Sequence, residues 1–183
     1  GPPACGPANQ TATDAFVYLQ FVNQNARIYG VDVSGSYLAA KSQDYGSFTV
    51  SGVIGYLNGE SRKTGDNLYN MMPLNGTLAL THNIGNWTSV LEAQFVAAKD
   101  NVSQVRNEVR TSSYNLLSLR STYEWKQFRI DLGIENLTDE FYDLPLGGAY
   151  VGQGATMSGT GVPWGVAVPG MGRSIYTGVS VSF

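Results

Sequence analysis

Residues 128–135 read Phe-Arg-Ile-Asp-Leu-Gly-Ile-Glu, with an apolar side chain at every even position and a polar residue or glycine at every odd one. A helix would scatter Arg129, Asp131 and Glu135 around its circumference. An extended strand instead gathers them on one face and puts Phe128, Ile130, Leu132 and Ile134 on the other. The same period runs through residues 117–125, where only Ser121 interrupts the apolar row, and through residues 175–183. Weaker copies carry Leu91, Ala93, Phe95 and Ala97; Phe48, Val50, Ile54 and Tyr56; Leu74, Leu78 and Leu80; and Tyr29, Val31 and Val33. Matching these segments to a two-residue period predicts about seven antiparallel strands and no amphipathic helix. The fold class expected is all-β.

Composition narrows the class further. Charged residues make up 14% of the 183-residue chain and hydrophobic residues 43%, where a soluble domain carries about 25% charged residues. Eleven Lys and Arg against fourteen Asp and Glu give a net charge of -3, which argues against a nucleic-acid partner. One cysteine and one histidine support neither a disulfide framework nor a Cys/His zinc site, and no resident cofactor is expected. The longest apolar runs are a few residues, far below the roughly 18 of a membrane helix. A soluble ligand-binding β-barrel and an outer-membrane β-barrel both remain open.

The connections favour the membrane. Short links at residues 42–45, 83–86 and 125–127 alternate with long ones at 61–72, 99–112 and 138–173. In an up-and-down meander this puts every tight turn at one end and every long loop at the other, as in outer-membrane barrels. Aromatic residues sit where strands meet turns. Trp87, Tyr123, Trp125, Phe128 and Phe183 lie at the short-turn end and Tyr56, Tyr114 and Tyr142 at the other, as membrane-interface anchors would. The polar face carries Arg129, Asp131, Glu135, Arg120, Glu92, Ser180 and Ser182, which suits a hydrated or plugged lumen. Seven strands do not close a standard barrel, and an open sheet cannot persist in lipid. The expectation is therefore a transmembrane barrel segment completed by the rest of a longer polypeptide or by another chain.

Three segments carry a family resemblance. Residues 134–142, Ile-Glu-Asn-Leu-Thr-Asp-Glu-Phe-Tyr, resemble the "NL-x-D-x-x-Y" segment of TonB-dependent outer-membrane receptors. Residues 172–183 resemble that family's terminal strand, ending in the aromatic Phe183. Residues 25–32, Asn-Ala-Arg-Ile-Tyr-Gly-Val-Asp, are similar to its "A-R-x-x-G-V-E" strand, with Asp32 replacing the glutamate. The resemblance implies a barrel of about 22 strands around a plug. Residues 1–183 would form its C-terminal part, with 138–173 as a long extracellular loop and 174–183 as the closing strand. It also implies a bacterial outer-membrane location and outer-membrane lipid and lipopolysaccharide as surroundings. The partners implied are the remaining strands and plug, TonB through that plug, and the barrel assembly machinery through Phe183. The function implied is uptake of a scarce nutrient, a metal ion or metal complex such as copper or an iron-siderophore. Residues 144–154 and 162–173 look similar to the last extracellular loop of the copper-receptor branch.

Candidate ligand-binding residues follow from soft-donor chemistry. Methionine thioethers suit Cu(I), and Met71, Met72, Met157 and Met171 all fall in expected outer loops, with Trp164 in the same loop as the last two. Four methionines in a chain of this size are also ordinary packing residues, and none pairs with a histidine. No catalytic residue is expected. His82 is the one candidate base, and it reads as a turn histidine in solvent. Cys5 is expected to pair with a cysteine outside this sequence. A structural or adhesive barrel without a transport cycle is the alternative function.

Overall fold

The structure, a computed structural model, describes residues 23–104, 106, 108–149 and 165–182. These form one antiparallel sheet of seven strands in simple sequence order. The strands are β1 (Ala26–Ser42), β2 (Gly46–Ser61), β3 (Asn75–Ile84), β4 (Trp87–Val96), β5 (Tyr114–Trp125), β6 (Phe128–Glu135) and β7 (Ser174–Val181). No helix among the described residues is long and apolar enough to cross a membrane. The expected meander and its strand count are present.

The tight turns work through left-handed backbone. Gly85 (φ 54) and Lys126 (φ 54) each open a two-residue loop, between Ile84 and Trp87 and between Trp125 and Phe128. A positive φ there matches the right-handed twist of the flanking strands. The β1–β2 loop is one residue longer and ends on Gly46 (φ 78). An added Cβ at Gly46 would run into the Asn83 carbonyl, so this position requires glycine.

Register settles which residues share a face. Leu119 pairs with Ile134, Tyr123 with Ile130 and Trp125 with Phe128; Ile130 pairs with Val179; Leu91 pairs with Leu119 and with Leu80. Continued across β1 and β2, the same face presents Val50, Ile54, Val31, Val33 and Tyr37. The strands contain ten charged residues. Eight of them (Asp32, Lys41, Glu92, Arg120, Glu124, Arg129, Asp131 and Glu135) project from the opposite face. The other two, Arg27 and Glu60, are cross-strand partners near the long-loop ends of β1 and β2. A face spanning seven strands and charged only at this terminal pair is a surface for acyl chains or for a core. Its burial decides between the two.

Among the described residues nothing covers the apolar face. Phe95 is 47% exposed, Leu132 48% and Val179 69%. The buried residues within the strands are Gly59, Ser61, Val96, Tyr114 and Gly133, and by register and alternation all lie on the polar face. The described parts of the long loops fold over the long-loop end of that polar face, and no described residue covers the apolar side. β1 and β2 also run about six residues past the end of β3, which starts opposite Gly55. At about 3.4 Å per residue this makes a ribbon projecting roughly 20 Å outward.

Candidate functional site

The three long connections meet above the polar face, and the site is built from them. The first, residues 62–74, folds back on β2: the Leu68 N–H donates to the Gly59 carbonyl (2.9 Å) and Ser61 N–H to the Asp66 carbonyl (2.8 Å). The second, residues 97–113, is closed by the Lys99 N–H donating to the Thr111 carbonyl (2.9 Å). These two loops are stitched together. The Glu108 carboxylate accepts from Asn70 N–H (2.8 Å) and Ser103 N–H (2.8 Å). The Asp66 carboxylate accepts from Ser103 Oγ (3.0 Å) and Gln104 N–H (2.9 Å), and Asn67 Nδ2 donates to the Val102 carbonyl (3.3 Å).

At the centre lies Lys99, 2% exposed. Its ammonium donates to Glu108 Oε1 (2.6 Å) and to the Pro145 carbonyl of the third connection (2.8 Å). A buried ammonium is tolerated only where an opposite charge and further acceptors replace its hydration shell, and Lys99 meets both conditions. Beside it, Thr111 Oγ1 is the buried side-chain polar atom without a hydrogen-bond partner among the described residues.

The third connection, residues 136–173, starts from Asn136, which is 3% exposed and in left-handed backbone (φ 50). Its side chain accepts from the Glu140 N–H (2.8 Å) and donates to the Glu140 carbonyl (2.8 Å) and the Met171 carbonyl (3.2 Å). One amide therefore clamps both ends of the connection. Farther out, the Leu144 N–H bonds the Val168 carbonyl and the Gly170 N–H the Tyr142 carbonyl, each at 2.8 Å. The Tyr142 ring lies over Gly170, where an added Cβ would overlap it, and sits 4.4 Å from the Tyr114 ring.

Two cavities result. One of about 420 Å³ lies between the polar face and the third connection. Glu92, Gln94, Ser118, Arg120 and Glu135 form its wall, and Tyr142, Leu144, Pro169 and Met171 its roof. Within it Arg120 is ion-paired with Glu92. The other, of about 260 Å³, brings Met71 and Met72 together with Asn58, Lys99 and Asp100. A larger open groove of about 770 Å³ runs along the apolar side past Val33, Ile54, Leu78 and Phe95.

The structure thus brings Met71 and Met72 into one cavity and places Met171 in another. Met157 and Trp164 lie outside the described residues, as do Cys5 and Phe183. No group of three His, Cys, Asp or Glu side chains among the described residues could hold a metal ion. Trp87 packs on Tyr123 (4.7 Å) and Trp125 on Phe128 (6.1 Å), forming aromatic pairs at the short-turn end of the apolar face. Two of the aromatics expected at the opposite interface are placed differently. Tyr114 pairs with Val96 and so faces the polar side, where it is buried against Tyr142. It was expected at the interface because it sits where a strand meets a long loop, and position along the chain does not fix the face; the alternation of residues 117–125, carried back to 114, points to the polar side. His82 belongs to β3, stacked on Phe48 (4.3 Å, 11°), and its Nε2–H donates to the Tyr45 carbonyl (2.8 Å). It anchors a turn instead of facing solvent freely.

Lys99, Glu108 and Asn136 organise the site, and sequence reasoning singled out none of them for it. Asn136 did fall inside a recognised segment. Lys99 and Glu108 carry no local signal, because their pairing depends on how their loop folds and their other partners, Pro145 and Asn70, come from different loops.

A family model described as "TonB dependent receptor-like, beta-barrel" matches residues 2–137. Among solved structures, the chain superposes on one titled copper transporter OprC with a TM-score of 0.77 at 23% identity, over 88% of this chain and 24% of that one. It superposes on the ferric yersiniabactin uptake receptor FyuA from Yersinia pestis with a TM-score of 0.62 at 16% identity, over 86% of this chain and 24% of that one. The chain spans about a quarter of the length of each (24%). At these identities the likeness is one of fold.

Proposed function

Because the chain belongs to the TonB-dependent receptor-like β-barrel family, we propose that it forms the C-terminal wall and outer vestibule of a bacterial outer-membrane receptor for a metal ion or metal complex. The observation that carries this reading is the segregation of charge. Eight charged strand residues line one face, and the other is uncharged between its ends and covered by no element among the described residues. Such a sheet is stable where acyl chains cover the apolar side and a hydrated or plugged lumen solvates the polar one. The open edges of β1 and β7 then pair with further strands of the same receptor. Lipid and lipopolysaccharide lie against the apolar band, TonB acts through the plug, and Phe183 addresses the assembly machinery.

Metal or metal complex is the substrate class the vestibule fits best. Thioethers at Met71, Met72 and Met171 offer soft donors, and Glu135 and the Glu92–Arg120 pair offer charge to a bound complex. Two solved structures of this fold are titled as a copper transporter and a ferric-siderophore receptor, which supports the same class. In this reading the outer loops and plug capture the ligand and TonB-driven movement of the plug releases it inward. This chain's residues bind and orient.

The test is metal accumulation by cells carrying the full-length receptor under copper or iron limitation, with and without functional TonB. TonB-dependent accumulation of one metal, reduced by Met171→Ala or by the Met71→Ala/Met72→Ala pair, is the expected result. Metal content that ignores both the receptor and TonB would sink the uptake reading and favour a structural or adhesive barrel.

A further inference from the structure

The outer half of the apolar face is grooved. The open groove of about 770 Å³ runs there, where β3 and β4 approach their long-loop ends. Val33, Ile54, Leu78 and Phe95 wall it, and Gly35 and Gly52, cross-strand partners on β1 and β2, set its floor. A mid-strand glycine costs roughly 0.5–1 kcal/mol against alanine, and nothing in the backbone calls for one here. An added Cβ at Gly35 would meet no described atom within 4 Å, and at Gly52 it would make ordinary contacts of 3.4 and 3.6 Å. Neither residue has left-handed backbone. What the pair supplies is a trough.

Above the trough the same face changes character. Asp32 is level with Asn75, where β3 starts. Beyond it the apolar face carries Val31 and Tyr56, then Tyr29 and Asn58, then Arg27 and Glu60. The Arg27 guanidinium lies over the Tyr29 ring, 5.1 Å from its centre. Arg62 adjoins it, held beside β1 by its N–H on the Asn25 carbonyl (2.9 Å), and the exposed Lys63 follows. Three cations therefore gather at the end of the projecting ribbon beside the Glu60 carboxylate, while the Asp66 carboxylate is bonded to Ser103 and Gln104.

We propose that this face holds one lipopolysaccharide molecule at a fixed site, with an acyl chain in the trough over Gly35 and Gly52 and a phosphate on Arg27 and Arg62. The site rests on the receptor reading above, which puts the apolar face in the outer membrane, and it goes beyond general contact with lipid. Height selects the lipid. β3, ten residues long, spans the roughly 25 Å apolar band of an outer-membrane barrel by itself. Arg27 stands five residues beyond Asp32, about 17 Å along the strand and about 13 Å along the membrane normal at the usual tilt. The headgroup layer of a phospholipid is only about 5–8 Å deep. The phosphorylated sugars of lipopolysaccharide reach farther out and bring an anion to this level. A guanidinium pairs with phosphate through two parallel N–H bonds, and its stacking on Tyr29 keeps it on the lipid side of the ribbon. Below, dispersion contacts with the acyl chain offset the cost of the two glycines.

The experiment uses the full-length receptor, delipidated in detergent and titrated with rough lipopolysaccharide, its dephosphorylated form or phosphatidylglycerol, with native mass spectrometry as the readout. One lipopolysaccharide per receptor should bind saturably. Arg27→Ala should weaken it about fivefold and Arg27→Ala/Arg62→Ala about twentyfold, the scale of single basic residues at an anionic lipid surface. Both variants should also narrow the difference between the intact and dephosphorylated forms. Gly35→Leu, which fills the trough, should weaken the two forms alike, and Lys126→Ala at the opposite end of the sheet should change neither. Where Gly35→Leu does not fold, as judged by heat-modifiable mobility, the arginine variants on the exposed ribbon carry the test. Lipopolysaccharide binding unchanged in the arginine variants, an equal loss in Lys126→Ala, or equal binding of phosphatidylglycerol would overturn the site. A full-length protein that stays monodisperse in plain buffer without detergent would overturn the receptor reading beneath it.

Discussion

Gly133 on β6 lies beneath the ring of Tyr176 on β7, so close that a single added methyl group would overlap the ring. The two residues are register partners on the polar face. A mid-strand glycine weakens a strand, and an aromatic ring laid across it from the neighbouring strand restores the missing cover. This pair joins the long third connection's two flanking strands.

Gly133→Ala should therefore destabilise the β6–β7 pair by about 1–3 kcal/mol, the usual cost of forcing atoms into a filled site. Urea unfolding of the refolded receptor would measure it. Tyr176→Ala in the same background should recover part of the loss by removing the obstacle, and a strictly additive double variant would contradict the proposed overlap.

Leu132 sits in the middle of the apolar face and is half exposed in this chain. Leu132→Arg should cost about 2–4 kcal/mol in a bilayer, because it places a charge at mid-depth in hydrocarbon. Ser180→Arg, on the polar face of β7, should cost far less. Refolding yields into lipid vesicles would compare them, and equal costs would argue that both faces see the same medium.

The buried Asn136 side chain bonds three backbone groups, the N–H and carbonyl of Glu140 and the carbonyl of Met171. Asn136→Ala should cost about 2–4 kcal/mol through the loss of three hydrogen bonds. Its local signature should be faster protease cleavage between residues 137 and 173, with the barrel itself still folded.

The Arg120–Glu92 pair should behave differently. Both side chains are partly exposed, so breaking the pair with Arg120→Gln should change stability by no more than about 1 kcal/mol. The effect should appear instead in ligand binding, since the pair lies in the wall of the cavity. A large stability loss without a binding change would assign the pair a purely structural role.

The two-residue period, a property of neighbours along the chain, was enough to determine seven strands, the position of their turns and the membership of almost every residue on one of two faces. Phe128 through Glu135 declare their faces without any partner, because each side chain's direction follows from its predecessor's. Tyr114 was expected at the membrane interface from its place at a strand end alone, and that place does not say which face a ring takes; the period itself, carried back from residue 117, puts it on the polar side. Which face would be covered, and by what, came only from tertiary structure. Lys99 and Glu108 stand nine residues apart in one loop, Pro145 belongs to another, and the three meet only after the strands beneath them are in register. A buried charge leaves no trace in local hydropathy, because what makes its burial tolerable is a carboxylate brought back by the folding of its own loop and a carbonyl delivered by a different one.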